Sequence, residues 1–348
     1  MSAMEPSALA LFWAAVIVVA ILAYVVLDGF DLGVGILFGA TRDAGLRDEM
    51  IASISPFWDG NETWLIVVGA TLFAAFPMVY AVFLAAFYIP VLLLLLALIF
   101  RGVAFEFRAR GAAGGLWDGG FAVGSVVAAF VQGAAVGAMI RGIPVANGQY
   151  SGGSFDWIAP LPILTGIGLV LGYALLGAGW LILKSDDPRL RGWARERISV
   201  LLKAVVAVLC LAIVIAFFDR ARMTGSLFFD RPWGFIFPLI GVAAIVGIFA
   251  GLREQRDSLP FPLTVVLFVS AFLSLAVMFW PYMIPYSVTV ASAAAPEASL
   301  SFLFWGAGLF VLPVIGVYTA VVYWAFRGRQ RKSYSAVNAP GQRAKAGS

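Results

Sequence analysis

Residues 9–38 read LALFWAAVIVVAILAYVVLDGFDLGVGILF. The first nineteen of these carry no charge, and the whole stretch has no Lys or Arg. A helix crosses a bilayer with ~20 mostly apolar residues, at about 1.5 Å per residue. On length and composition this stretch is a membrane span. It then continues through two carboxylates, Asp28 and Asp31, near its inner end. The rest of the chain follows the same pattern. Of 348 residues, 62% are hydrophobic and only 12% charged, about half the ~25% of soluble domains. A soluble fold cannot cover that much apolar surface, so the sequence describes an all-α integral membrane protein.

Nine runs can span: 9–38, 56–76, 78–100, 119–140, 160–183, 199–219, 233–252, 262–283 and 302–326. None reads as a cleaved signal peptide, because the first run lacks a basic leader and exceeds the usual apolar length. Residues 1–326 are expected to form one transmembrane domain. Residues 327–348, basic and rich in Gly, Ala and Ser, are expected to form a disordered cytoplasmic tail. With the N-terminus outside, the inner segments hold eighteen Lys and Arg and the outer segments four. That asymmetry orients the chain, N-terminus periplasmic and C-terminus cytoplasmic. It also accounts for the net charge of +4 without invoking nucleic acid.

The chain contains no histidine and one cysteine, Cys210. It therefore has no imidazole to hold haem or metal or to act as a base. A disulfide within the chain and a thiolate-held cluster are excluded too. Met78, Met278 and Met283 would have to ligate haem in pairs, and packing explains them better.

The acids inside spans carry the functional signal. The apolar part of the second run, 64–76, is too short to cross by itself. The helix must include residues 56–63, which takes Asp59 and Glu62 into the inner part of the bilayer. Asp28 with Asp31 and Asp59 with Glu62 are each spaced i, i+3, so each pair shares a helix face. An aspartate within a span costs roughly 2.5–3.5 kcal/mol on insertion scales. Two explanations stand at this point. Together with Asn61, Thr63 and water, the carboxylates can relay protons from the cytoplasm. Alternatively they pair with Arg101, Arg108 or Arg42, or in the case of Asp59 favour a helix N-terminus. Arg101, Glu106, Arg108 and Arg110 close the third run as positive-inside anchors, with Glu106 and Arg101 also placed to guard a proton entrance. Gly29 and Gly33 form a Gly-x-x-x-Gly packing motif. Trp58 and Trp64 flank the second acid pair.

Three strings, Asp28-Gly-Phe-Asp31-Leu-Gly, Pro56-Phe-Trp-Asp59-Gly-Asn61-Glu62-Thr-Trp64-Leu and Phe100-Arg101-Gly-Val-Ala-Phe-Glu106-Phe-Arg108, resemble subunit II of the cytochrome bd-type quinol oxidases. The second is similar to the cyanide-insensitive branch. The resemblance implies two four-helix bundles plus one peripheral helix. It implies a subunit of a quinol oxidase in the bacterial inner membrane, itself not catalytic. Its partner would be a subunit I carrying two b haems and haem d. A small accessory subunit, membrane lipids and a bound structural quinone are further implied associates. It assigns Asp31 and Asp59 to cytoplasmic proton delivery and Trp64 to an oxygen entrance; Trp58 and Trp64 together are expected beside an oxygen path or a quinone. Glu62 stands where other members carry Gln. The rivals are a proton- or cation-coupled secondary transporter and a pure assembly scaffold.

Overall fold

A computed structural model of the chain describes residues 5–109, 115–218 and 231–328. Arg110 and most of the predicted tail lie outside the described residues. The first helix, α1 (Ala8–Gly39), starts where the Ser7 hydroxyl accepts the Ala10 N–H at 3.2 Å. A short helix, α2 (Ala44–Ile54), is capped by Asp43 and buries Leu46, Met50, Ile51 and Ile54. The composition of 39–55 suggested only a loop there. Then come α3 (Trp58–Ala75), α4 (Pro77–Ala86), α5 (Tyr88–Ala109) and α6 (Gly115–Arg141). After a small hairpin, β1 (Val145–Ala146) and β2 (Gln149–Tyr150), the chain continues through α7 (Pro160–Lys184), α8 (Pro188–Phe218), α9 (Ile236–Arg253) and α10 (Pro260–Phe279). A second hairpin, β3 (Tyr282–Ile284) and β4 (Val288–Thr289), leads through α11 (Val290–Ala293) into α12 (Glu297–Leu303) and α13 (Leu312–Ala325).

Eight helical stretches among the described residues are long and apolar enough to cross a membrane. They include the continuous Glu297–Ala325, in which α12 and α13 are joined by π-helical turns over Phe304–Val311. Pro313 follows those turns and has no N–H to continue the ladder, a usual setting for such a distortion. The helix α3 has 18 residues but carries Asp59, Asn61 and Glu62 in its first turns, which lowers its apolar content.

One predicted boundary is corrected. The run 78–100 is not one helix. It breaks at Phe87 into α4 and α5, and α5 continues to Ala109. Pro90 explains the break, because it has no N–H to offer the Ala86 carbonyl four residues back. The extension puts Arg101 well inside a helix rather than in the following loop.

The helix α1 packs against α3, α6, α7 and α10. Its crossing with α7 is the tightest joint. A Cβ on Gly33 would stand 1.8 Å from the Tyr173 carbonyl oxygen, and one on Gly177 2.5 Å from the Gly33 carbonyl carbon. Backbones approach this closely only where side chains are absent. Beside the joint, Phe30 stacks on Trp180 at 4.0 Å between ring centroids.

Around α2, Arg108 pairs with Asp48 at 2.6 Å and with Asp118, and Arg47 pairs with Asp118 at 2.7 Å. Both guanidinium groups lie over the Phe38 ring. This clamp ties α1, α2, α5 and α6 together. Arg108 is thus more than the positive-inside anchor its position suggested.

Lys184 does a similar job for α13, which buries none of its own residues. Its ammonium donates to the Phe326 carbonyl at 2.5 Å and lies over the Phe57 and Trp180 rings. A cation at a helix C-terminus is worth up to ~2 kcal/mol in a partly buried setting. Lys184→Met is expected to loosen this end and speed tryptic cleavage at Arg327 severalfold. Unchanged cleavage would show that the contact does not hold the helix.

Candidate functional site

The buried polar group forms where α1 meets α3, α5 and α13. Asp28 and Asp31 are both fully buried on α1, and Arg101 of α5 is 1% exposed. An Arg101 terminal nitrogen lies 3.5 Å from Asp28 Oδ1, an ion pair outside hydrogen-bonding geometry. The Arg101 guanidinium also stands over Phe121, at 6.0 Å. From α3, the Asn61 amide donates to Asp31 Oδ2 at 2.7 Å and to the Leu27 carbonyl at 3.1 Å. From α13, the Tyr323 hydroxyl donates to Asn61 Oδ1 at 3.0 Å. Asn61 therefore links three helices, and one end of its amide points at a carboxylate.

The site is dense in charge and short of hydrogen bonds. Both Asp28 oxygens, Asp31 Oδ1 and the three Arg101 side-chain nitrogens are buried and find no hydrogen-bond partner among the described residues. Buried polar groups are nearly always paired, and a concentration of exceptions calls for a functional explanation.

The two predicted acid pairs meet only in part. Glu62 is half-buried and faces Asp28, Arg101 and Asp59. Asp59 is exposed at the start of α3. The structure ranks them by burial, from exposed Asp59 through half-buried Glu62 to fully buried Asp28 and Asp31. Glu106 lies on the exposed face of α5. Trp58 packs on Phe105 at 5.0 Å, beside the acids but not among them. Trp64 is half-buried, and its Nε1 makes no hydrogen bond. Tyr24, Gln132, Tyr173 and Tyr323 were not read as site residues. The available signal was weak: single polar groups in apolar runs, Gln132 being the only amide in α6.

A family model described as cytochrome bd terminal oxidase subunit II matches residues 9–326. The chain belongs to that family. Subunit II proteins in two distant bacteria are similar along most of their length. The cytochrome bd-I ubiquinol oxidase subunit 2 of Escherichia coli (strain K12) is 29% identical, over 92% of this chain and 94% of its own. The cytochrome bd ubiquinol oxidase subunit 2 of Bacillus subtilis (strain 168) is 32% identical, over 91% and 95%. A chain of the bd oxidase from Geobacillus thermodenitrificans shares the fold, with a TM-score of 0.75 at 14% identity, over 92% of this chain and 99% of that one. Family membership favours the oxidase over the transporter. As a subunit II, this chain is a multi-pass membrane component of an oxidoreductase complex that includes a subunit I.

The family implies haem, and the donor set of this subunit II does not fit it. The chain has no histidine, and its one cysteine lies exposed on α8. No group of His, Cys, Asp and Glu among the described residues is arranged to hold a metal ion. An open groove of about 410 Å³ beside Ala74 and Phe302 is lined by apolar side chains and Ser299. It sits at the far end of α3 from Asn61, roughly 20 Å along the helix.

Proposed function

We propose that this subunit II delivers protons from the cytoplasm to oxygen chemistry carried out in its partner. The single observation behind the proposal is the buried acid group, Asp28 and Asp31 facing Arg101, with Glu62 and exposed Asp59 leading toward it. Carboxylates in spans mark proton and ion pathways because they are otherwise too costly to keep. The unpaired oxygens of Asp28 and Asp31 are suited to exchanging protons through water. In this reading Asp59 collects protons, Glu62 passes them inward, and Asp28 and Asp31 hold them beside Arg101. Glu106 lies near the mouth on the cytoplasmic side. Trp58 and Trp64 flank the route or an adjoining oxygen path.

The same proposal includes nine spans in two four-helix bundles plus one peripheral helix, with α3 as the crossing that admits the acids. Residues 1–326 form its membrane domain, with the N-terminus periplasmic and the tail cytoplasmic. The excess of inner Lys and Arg supports that orientation in a bacterial inner membrane. Two b haems, haem d and quinol oxidation are assigned to subunit I, in keeping with a chain that lacks histidine. A small accessory subunit, bound lipid and a structural quinone are further expected associates.

The test uses the purified oxidase. Asp31→Asn and Asp59→Asn, assayed separately for oxygen uptake with quinol, are expected to lower turnover on the order of 10²-fold or more, the scale of a lost acid–base group. Haem content should stay at the wild-type level. Full turnover in both variants would remove the proton-path reading. Loss of haem without slowed turnover per haem would favour a scaffold.

A further inference from the structure

A second polar chain runs from Tyr24, beside the acid group, to α6 and α7. On α6, Gln132 donates its amide N–H to the Tyr24 hydroxyl oxygen at 3.0 Å. On α7, the Tyr173 hydroxyl donates to Gln132 Oε1 at 3.0 Å. Tyr24 and Tyr173 are both buried. Tyr24 is one helical turn before Asp28 on the same face of α1, which puts its hydroxyl within reach of that carboxylate.

The hydrogens in this chain have one consistent direction. Tyr173 gives its hydrogen to the Gln132 carbonyl, and Gln132 gives one to the Tyr24 oxygen. The Tyr24 hydrogen is then left for an acceptor, and Asp28 has two oxygens without a hydrogen-bond partner. Turning the amide over would leave the Tyr173 hydrogen against apolar neighbours, where its ring stacks on Phe268 at 5.6 Å. It would also take the Tyr24 hydrogen away from the carboxylate. An amide is assigned by its network, and this network favours one orientation. The backbone supports the arrangement. A Cβ on Gly29 would stand 2.7 Å from Tyr173 Cε1, so the ring lies directly over the residue that follows Asp28.

From this geometry we infer that Gln132 and Tyr173 are positioning residues for Asp28, acting through the Tyr24 hydroxyl. Gln132 is an amide with no proton to lose under ordinary conditions, so the arm orients the carboxylate and does not conduct beyond it. In this arrangement the Tyr24 hydrogen is directed at Asp28, whose Oδ1 already lies 3.5 Å from the Arg101 cation of α5. The inference rests on the proton-path reading and adds two residues, from α6 and α7, that none of the three sequence strings contains.

The experiment uses the assembled oxidase with Tyr173→Phe, Gln132→Leu and the double variant. Each single change is expected to lower kcat on the order of threefold to tenfold, the scale of one hydrogen bond, with KM for quinol unchanged. The double variant should lose no more than the worse single one, because both cut the same chain. The redox-induced infrared difference in the carboxyl C=O region should shift in all three. Additive losses, or an unmoved carboxyl band with wild-type kcat, would overturn the arm. Tyr173→Phe removes one oxygen atom and keeps the ring, so it decides the matter if Gln132→Leu assembles poorly. Full turnover in Asp31→Asn and Asp59→Asn would instead remove the underlying proton path, a separate and distinguishable failure.

Discussion

Arg101→Leu is expected to prevent accumulation of the folded subunit, and Asp28→Asn in the same chain is expected to restore much of it. Arg101 is 1% exposed and brings the positive charge that faces Asp28, Asp31 and Glu62. Removing one partner of a buried pair costs about 3–5 kcal/mol, because the other charge is left without compensation. Here two fully buried carboxylates are left together on one helix face, which adds repulsion to the loss. Most single domains have only 5–15 kcal/mol in total. Neutralising Asp28 removes one of the stranded charges and should recover assembly. On the proposed proton path it should not recover oxygen uptake, since that path would then lack Asp28. The measurements are the yield of detergent-purified complex, its melting temperature and quinol-dependent oxygen consumption. Wild-type yield and melting in Arg101→Leu alone would show that the pair contributes little to folding.

Gly33→Val should be comparably severe, for a steric reason. The added Cβ would sit 1.8 Å from a backbone oxygen of α7, against the 3.4 Å of ordinary contact. Neither partner is a flexible side chain that can swing aside. Overpacking a core costs about 1–3 kcal/mol where side chains can adjust, and more where they cannot. Parting α1 from α7 would also disturb Tyr173, whose carbonyl is the atom struck and whose ring lies over Gly29. The expected result is a large fall in complex yield, with a lowered melting temperature and lowered turnover in what survives. Gly192→Ala is the control. Nothing lies within 4 Å of a Cβ there, and alanine favours a helix by about 1 kcal/mol. Equal melting of the Gly33 variant and wild type would show that the crossing can relax.

Much of this site was legible in the chain. Asp28, Asp31, Asp59 and Glu62 stood out because a composition with 12% charge places few acids in apolar runs. The Gly29–Gly33 spacing pointed to close helix packing, and the α1–α7 crossing has that form. Arg101 was harder to place. Its neighbours Glu106, Arg108 and Arg110 made residues 101–110 look like one inner-edge charged segment. The break at Phe87 and the continuation to Ala109 put Arg101 inside a helix, opposite Asp28. Gln132, Tyr173 and Tyr323 lie 41 to 262 residues from their hydrogen-bond partners, and no local spacing relates them; Tyr24, one turn before Asp28, was the only one of the four that spacing could have tied to the acids.

The sequence by itself determined the solvent, the helices and the kind of chemistry. Apolar length demands a bilayer, backbone groups in a bilayer demand helices, and the lack of histidine removes imidazole as a ligand or base in this chain. Period and spacing also put each acid pair on one helix face. Only the tertiary structure decided which acids are sealed and which are open. That depends on how closely helices approach and what each presents at the crossing. Glycines on α1 and α7 draw the backbones together, Arg101 arrives from α5 and Asn61 from α3. In that setting Asp28 and Asp31 are fully buried while Asp59, with the same carboxyl group, stays exposed.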